Sequence, residues 1–360
     1  MDHQYTPILS DEERAALRAQ RAAIRKRKLR ARRRKQLKQF FPIAALAVFL
    51  VVLLLVWKGR QPQQEEQAEE PPAPTVAVMP EVAVSEEPEE PYSAVKTADT
   101  AVLGADYSSA YAVVIDLQKD AILAEREAQA VINPASMTKV LTLLVAAEHL
   151  ENRLDETFTM TIDITDYCFV NGCSVVGLDI GETVTVRELL YGCILPSGAD
   201  ASLGLAVMAA GSHEAFVELM NEKLEELGLS ETAHFTNAVG LYDKDHHCTV
   251  YDMAMILKAA MDNPLCREVL DARTYQTLPN EQNPEGEVLS NWFLRRIEDK
   301  DTGDIDVVAG KTGYVVESGN CAASCGEDPD GNRYICVTGN AGSGWQAIYD
   351  HVALYKNYCN

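Results

Sequence analysis

The sequence predicts an α/β (α+β) fold, an antiparallel sheet flanked by helices, preceded by one N-terminal transmembrane helix. Three observations lead there. Apolar, β-branched runs that read as strands gather near both ends of residues 102–360, with helical patterns between them. An uncharged, apolar run from Phe40 to Trp57 stands well before that stretch. Acidic, proline-rich sequence separates the two. The organisation expected is a basic cytoplasmic segment (1–39), a transmembrane helix (40–57), a disordered linker (58–101) and a folded domain (102–360).

The eighteen residues 40–57, at about 1.5 Å per residue, nearly cross a hydrocarbon core of about 30 Å. Thirteen Lys/Arg precede them and the sequence after Arg60 is acidic, so the positive-inside bias puts the N-terminus in the cytoplasm and the rest outside. The basic run reads as that orientation signal and as a contact for anionic lipid. A cleavable signal peptide is the competing reading, but the leader is long and no small-x-small site follows Trp57-Lys58-Gly59-Arg60. From Gln61 to Tyr92 there are nine Glu and seven Pro. Such a composition cannot bury enough surface to order itself, and about forty residues of flexible coil span roughly 35 Å.

Residues 1–60 hold fifteen Lys/Arg against four Asp/Glu, while the whole chain has a net charge of −22. The body is therefore strongly acidic, which argues against nucleic-acid binding. All nine cysteines fall between Cys168 and Cys359, in the exported part, where disulfides can form; their pairing stays open. No metal and no cofactor are expected. There is no C-x-x-C, and His246-His247-Cys248 is a single local cluster.

Within the domain, Tyr111 to Leu117 and Ala121 to Arg126 read as strands joined by a turn at 118–120. A helix opens at Ser136 and is apolar almost all round through Val145, which implies burial. Thr185-Val186-Arg187-Glu188 has capping-box form and starts a helix ending near Gly192. Ala199 to Ala210 is helical in composition and closed by Gly211. A further helix fits His213 to Leu227, capped by Ser212 and followed by Gly228. Thr249-Val250-Tyr251-Asp252 caps the next, which continues from Met253 to Met261. Strands resume at 306–309, 311–316, 320–324 and 333–338, before a closing helix from Trp345 to Tyr358.

Three strings carry the chemistry. In Ser136-Met137-Thr138-Lys139 at a helix start, hydroxyl and amine share one face, so the amine can reach the serine. Ser93-Ala94-Val95-Lys96 also matches S-x-x-K, but in the linker no helix would hold the pair. Lys139 must be made neutral to act as a base, by burial and by a second cation, for which Lys311 is the candidate. Ser197, in Ser197-Gly198-Ala199, is placed as a proton relay between Lys139 and a leaving amine; the alternative is a helix-capping serine. In Lys311-Thr312-Gly313, the ammonium and hydroxyl can hold a carboxylate, and Gly313 removes a side chain that would block the backbone's approach to it. The N–H groups of Ser136 and Tyr314 are the candidate oxyanion donors. His246 reads as a loop residue that structures the segment before the Thr249 cap.

On these residues the chain resembles the serine D-alanyl-D-alanine carboxypeptidases, the low-molecular-mass penicillin-binding proteins. The likeness covers roughly residues 105–358. It includes Tyr111 to Asp116, Asn133 to Lys139, Phe235 to Leu241 and Gly310 to Tyr314, in that order. It implies a β-lactamase/transpeptidase-like fold, Ser136 as acylated nucleophile, Lys139 as its base, Ser197 as relay, and Lys311, Thr312, Gly313 and Tyr314 around the substrate's terminal carboxylate. The implied partners are peptidoglycan stem peptides, with β-lactam antibiotics as inhibitors acylating Ser136. The implied reaction removes the terminal D-alanine through an acyl-serine. One departure stands out: the family's S-G-N is Ser197-Gly198-Ala199 here, without the amide. Ser318-Gly319-Asn320 is too far along the strand to replace it. The chain ends after its closing helix, so the C-terminal β-domain and anchor of many relatives are not expected. The rival readings are a weak or inactive wall-binding scaffold and a β-lactamase; for the latter no E-x-x-L-N string lies between Ser197 and Lys311.

Overall fold

The structure, a computed structural model, describes residues 92–359. The expected cytoplasmic segment, the transmembrane helix and the linker up to residue 91 lie outside the described residues. Strands β1 (Val95–Val102), β2 (Tyr111–Asp116) and β3 (Ala121–Arg126) come first, then α1 (Lys139–Leu150), β4 (Thr157–Thr159), α2 (Ile162–Val170), β5 (Thr183–Thr185) and α3 (Val186–Ile194). Next are α4 (Ala199–Ala210), α5 (His213–Glu226), α6 (Val250–Asp262), α7 (Pro264–Asp271), β6 (Thr274–Gln276), β7 (Val288–Ser290) and α8 (Leu294–Ile297). The chain closes with β8 (Asp306–Val315), β9 (Gly319–Glu327), β10 (Arg333–Ala341) and α9 (Gly344–Tyr358).

The main sheet has six strands in the order β1-β3-β2-β10-β9-β8. All its neighbours are antiparallel except β1, which runs parallel to β3. The expected antiparallel sheet is thus a mixed one, and residues 95–101 of the expected linker are strand. The side chains of β1 are mostly exposed and gave no apolar signal. What orders it is backbone pairing: Val95 N–H donates to Asp120 O and Leu103 N–H to Glu125 O, both at 2.9 Å, with Ala94 and Leu103 buried at its two ends. Residues 306–315 form one strand where two were expected.

Side chains alternate across the sheet. Val113, Ile115, Ala323, Ile335 and Val337 face the large core shared with α1, α4 and α6. Ala112, Val114, Ala322 and Cys336 face the smaller core under α8 and α9. Ten of the twelve residues of α1 are buried, and each large apolar side chain removed from water contributes about 1.5–3 kcal/mol. Both expected capping boxes are present, at Thr185/Glu188 and Thr249/Asp252. Ser212 Oγ accepts from Ala215 N–H at 3.1 Å, and Gly211 closes α4 at φ +82°. Helices α2 and α7 were not legible as such. Yet α7 carries a cap, Asn263, followed by proline at its first position. All nine cysteines are free thiols, eight of them buried.

Candidate active site

Ser136 sits in a 3-10 turn, Ala135–Thr138, and Lys139 opens α1. The helix thus begins three residues later than expected, and the amine still reaches: Lys139 Nζ donates to Ser136 Oγ at 3.1 Å. The turn is strained, with Ala135 at φ +48°. Two glycines from remote parts of the chain pinch it in place. A Cβ on Gly240, itself at φ +79°, would lie 2.0 Å from Ala135 O; one on Gly313 would lie 2.8 Å from Pro134 O and 3.1 Å from Ser136 N. Gly313 therefore makes room for the backbone of the Ser136 turn, a reason for glycine here that the sequence did not show. It also draws the β8 backbone, with Tyr314 next in line, alongside the Ser136 N–H.

Lys139 Nζ has a second acceptor, the carbonyl of Val239, at 2.6 Å. A tight turn presents that carbonyl. Asn237 Oδ1 accepts from the N–H groups of Val239 (3.2 Å), Gly240 (2.7 Å) and Leu241 (3.0 Å). His246 then ties this segment to the Ser136 turn: its Nδ1 accepts from Thr236 N–H at 3.0 Å and its Nε2 pairs with Thr138 Oγ1 at 2.8 Å. Burial holds this histidine neutral, its pKa pushed down to about 3. His246 is a structural residue of the loop, as the sequence suggested. Asn237 and the Val239 carbonyl were missed. Asn-x-x-Gly in a loop is a turn signal that could have found the first; a backbone carbonyl leaves no signal of its own.

The second serine is wired differently from expectation. Ser197 lies between α3 and α4 at φ +62°, and its Oγ accepts from Lys311 Nζ at 2.8 Å. Its partner is Lys311, not Lys139. Lys311 also donates to Thr312 O at 2.8 Å. Ser197, Lys311 and Thr312 line one cleft together with Leu195, Asn291 and Trp292. Asn291, also missed, braces the strand: its Nδ2 donates to Gly310 O at 3.1 Å.

Both lysines are 2% exposed, and burial pushes both amines below the usual lysine value. Lys311 is pushed further by the charge of Lys139. Burial, named with a second cation as what makes Lys139 neutral, is the largest cause at both amines. The repulsion between them is mutual, so charging either amine disfavours charge on the other.

Ala199 is buried, and its N–H donates to Ser174 O at 2.8 Å. Asp200 beside it accepts from the N–H groups of Val176, Gly177, Leu178 and Ala201. The start of α4 thus fastens the loop 174–178. Asn320 is occupied elsewhere: its Nδ2 donates to Ala341 O at 3.2 Å, and Ser318 Oγ bonds within the β8–β9 turn. It does not stand in for the missing amide.

The family model described as D-alanyl-D-alanine carboxypeptidase matches residues 95–342. The D-alanyl-D-alanine carboxypeptidase DacF of Bacillus subtilis is 36% identical over 147 residues, 41% of this chain and 37% of that protein. DacB2 of Mycobacterium tuberculosis, with the same description, is 33% identical over 204 residues, 56% of this chain and 65% of that protein. The matches therefore span less than two thirds of either curated relative. A mutant of a Streptomyces DD-transpeptidase superposes with a TM-score of 0.64 at 24% identity, covering 70% of this chain and 99% of that one; at that identity the likeness concerns the fold, the transpeptidase-like sheet between helices. With more than half of its length matched by the family model, the chain belongs to the D-alanyl-D-alanine carboxypeptidase family.

Proposed function

We propose that this protein is a serine-type D-alanyl-D-alanine carboxypeptidase. It removes the terminal D-alanine from peptidoglycan stem peptides through an acyl-serine, and β-lactams inhibit it by acylating the same residue. The observation that carries the reading is a pair of half-buried serine–lysine couples, Ser136 with Lys139 and Ser197 with Lys311, close enough for the charge of Lys139 to weigh on Lys311. The N-terminal apolar run anchors the protein in the membrane with its folded domain outside the cytoplasm.

In this mechanism the neutral Lys139 amine takes the proton from Ser136 Oγ as that oxygen attacks the carbonyl carbon of the penultimate residue. The N–H groups of Ser136 and Tyr314 stabilise the oxyanion. Ser197, held by Lys311, gives its hydroxyl proton to the departing amine and takes in its place the proton that Lys139 gained, so the C–N bond breaks, D-alanine leaves and Lys139 is neutral again. Water then releases the acyl group from Ser136. Lys311 and Thr312 hold the terminal carboxylate. Its arrival stabilises the ammonium of Lys311, and by mutual repulsion this favours the neutral, basic form of Lys139. The substrate thereby helps to prepare its own base.

The test is acylation of the full-length chain, in detergent, by a fluorescent penicillin, together with D-alanine release from a peptide ending in D-Ala-D-Ala. Wild type labels and turns over, while Ser136→Ala loses both by at least about 10³-fold. Equal labelling of the two proteins would remove the nucleophile assignment. Labelling without release of D-alanine would favour a penicillin-binding scaffold.

A further inference from the structure

The end of α2 brings two cysteines together. Its last turn, Cys168-Phe169-Val170-Asn171-Gly172-Cys173, closes with Gly172 at φ +61°. Gly172 N–H donates to Phe169 O at 3.2 Å and Cys173 N–H to Cys168 O at 2.9 Å. These are the two bonds of a Schellman cap, which sets the side chain just beyond the helix against the one five residues earlier. In such caps that contact is frequently hydrophobic. Here it joins two thiols, hydrogen-bonded to each other. That bond holds Cys173 below the usual thiol value and pushes Cys168 above it. Cys168 is buried and Cys173 half-buried, so Cys173 is the thiol that solvent reaches.

The pair also borders the site. Residues 174–178, which follow it, pack on the residue next to Ser197: a Cβ on Gly198 would lie 2.6 Å from Val176 Cγ2. Burial pushes the Lys139 amine down, while Cys193, Cys173, Cys168 and Asp200 pull it back up. The other two cysteines close in sequence, Cys321 and Cys325, lie four residues apart on β9. At about 3.3 Å per residue they are about 13 Å apart, too far to bond.

We propose that Cys168 and Cys173 are a reactive thiol pair that closes to a disulfide by exchange with a small disulfide such as oxidised glutathione, and that closure speeds acylation at the site. The second half rests on the peptidase reading above. The Cys173 thiolate attacks one sulfur of the small disulfide, and a small thiolate leaves. Cys168 gives that thiolate its proton and attacks the Cys173 sulfur, and the second small thiolate leaves. Two protein thiols are oxidised and one small disulfide is reduced to two thiols. Outside the cytoplasm, where the domain is proposed to lie, such a bond persists. It closes a ring of only six residues, so it restrains the unfolded chain less than a long-range bridge would, and its effect is local. It pins the start of residues 174–178 to α2. Carrying no charge, it also removes two of the four groups that favour the ammonium of Lys139.

The test treats the full chain, in detergent, with dithiothreitol or with oxidised glutathione, then denatures, alkylates and digests it for mass spectrometry. After glutathione, the peptide holding residues 168–173 is expected to lose two hydrogens and escape alkylation, while the other seven cysteines are alkylated in both samples. Dithiothreitol restores it. Cys168→Ser, which has no thiol to close the ring, keeps glutathione on Cys173 as a mixed disulfide. Penicillin labels the oxidised parent about threefold faster than the reduced one, and Cys173→Ser labels at one rate under both treatments. Alkylation of Cys168 and Cys173 alongside the rest after glutathione overturns the disulfide. Closure with no change in labelling rate overturns its effect on the site. Closure in a chain that penicillin does not label at all would sink the peptidase reading and leave the disulfide standing.

Discussion

The two serine–lysine pairs look alike in chemistry and differ in construction. Ser136 and Lys139 are three residues apart, set by one turn of backbone, and their amine is finished by a carbonyl from a loop a hundred residues away. Ser197 and Lys311 are 114 residues apart, and the helical layer must dock against the sheet edge before they meet. The first pair is local in sequence and needs a distant brace. The second is distant in sequence and closes only with the fold. The proposed division of labour, base at one and carboxylate clamp at the other, follows from where each amine sits.

The largest expected effect comes from breaking the local pair. Lys139→Ala removes the proposed base and should slow penicillin acylation by about 10³-fold at saturation, measured by stopped-flow fluorescence. Lys311→Ala should cost about 10²-fold, mostly as a higher KM for a carboxylate-bearing peptide. Identical losses in kcat and KM for the two variants would erase the distinction between the pairs. A smaller effect is expected from the brace. Asn237→Ala leaves three N–H groups without their acceptor, at about 1–3 kcal/mol in stability. It should also slow acylation about tenfold, because the Val239 carbonyl is no longer held at Lys139. A variant with an unchanged melting temperature and an unchanged rate would show that the turn keeps itself.

The subtlest test is pH. Lys139 acts deprotonated and its pKa is lowered, so activity should rise with pH on a limb below the usual lysine value of about 10.4. Lys311 acts protonated, so activity should fall again once the coupled pair loses its second proton. Lys311→Arg, which stays charged, should remove the falling limb of kcat/KM and leave the rising one. A single rising limb in the parent protein would mean that activity does not require a charged Lys311.

The first pair was legible because a turn of helix makes spacing into geometry. Lys311 and Ser197 could each be placed at the site, since an S-x-x-K helix, a K-T-G strand and a serine before α4 constrain one another. Which lysine holds Ser197 could not be read, because it depends on how α3, α4 and β8 dock. Caps at Thr185, Ser212 and Thr249 came through for the same reason as S-x-x-K: they are closed within four residues. Strand β1 did not. Its side chains face solvent, and its stability comes from main-chain bonds to β3 that no side-chain pattern encodes. Gly240 and Gly313 were visible as glycines, but that both clear space for Pro134–Ser136 became evident only in three dimensions.

Strand β1 also has a mechanical consequence. It occupies one margin of the sheet and β8 the other, with β3, β2, β10 and β9 between them. Tension arriving along the polypeptide from residue 92 would load the β1–β3 ladder lengthwise, as shear across parallel hydrogen bonds. The Ser136 turn and Lys311 lie at the opposite margin, with four strands between. A pull applied at residue 92 would be taken up at the margin of the sheet farthest from Ser136 and Lys311.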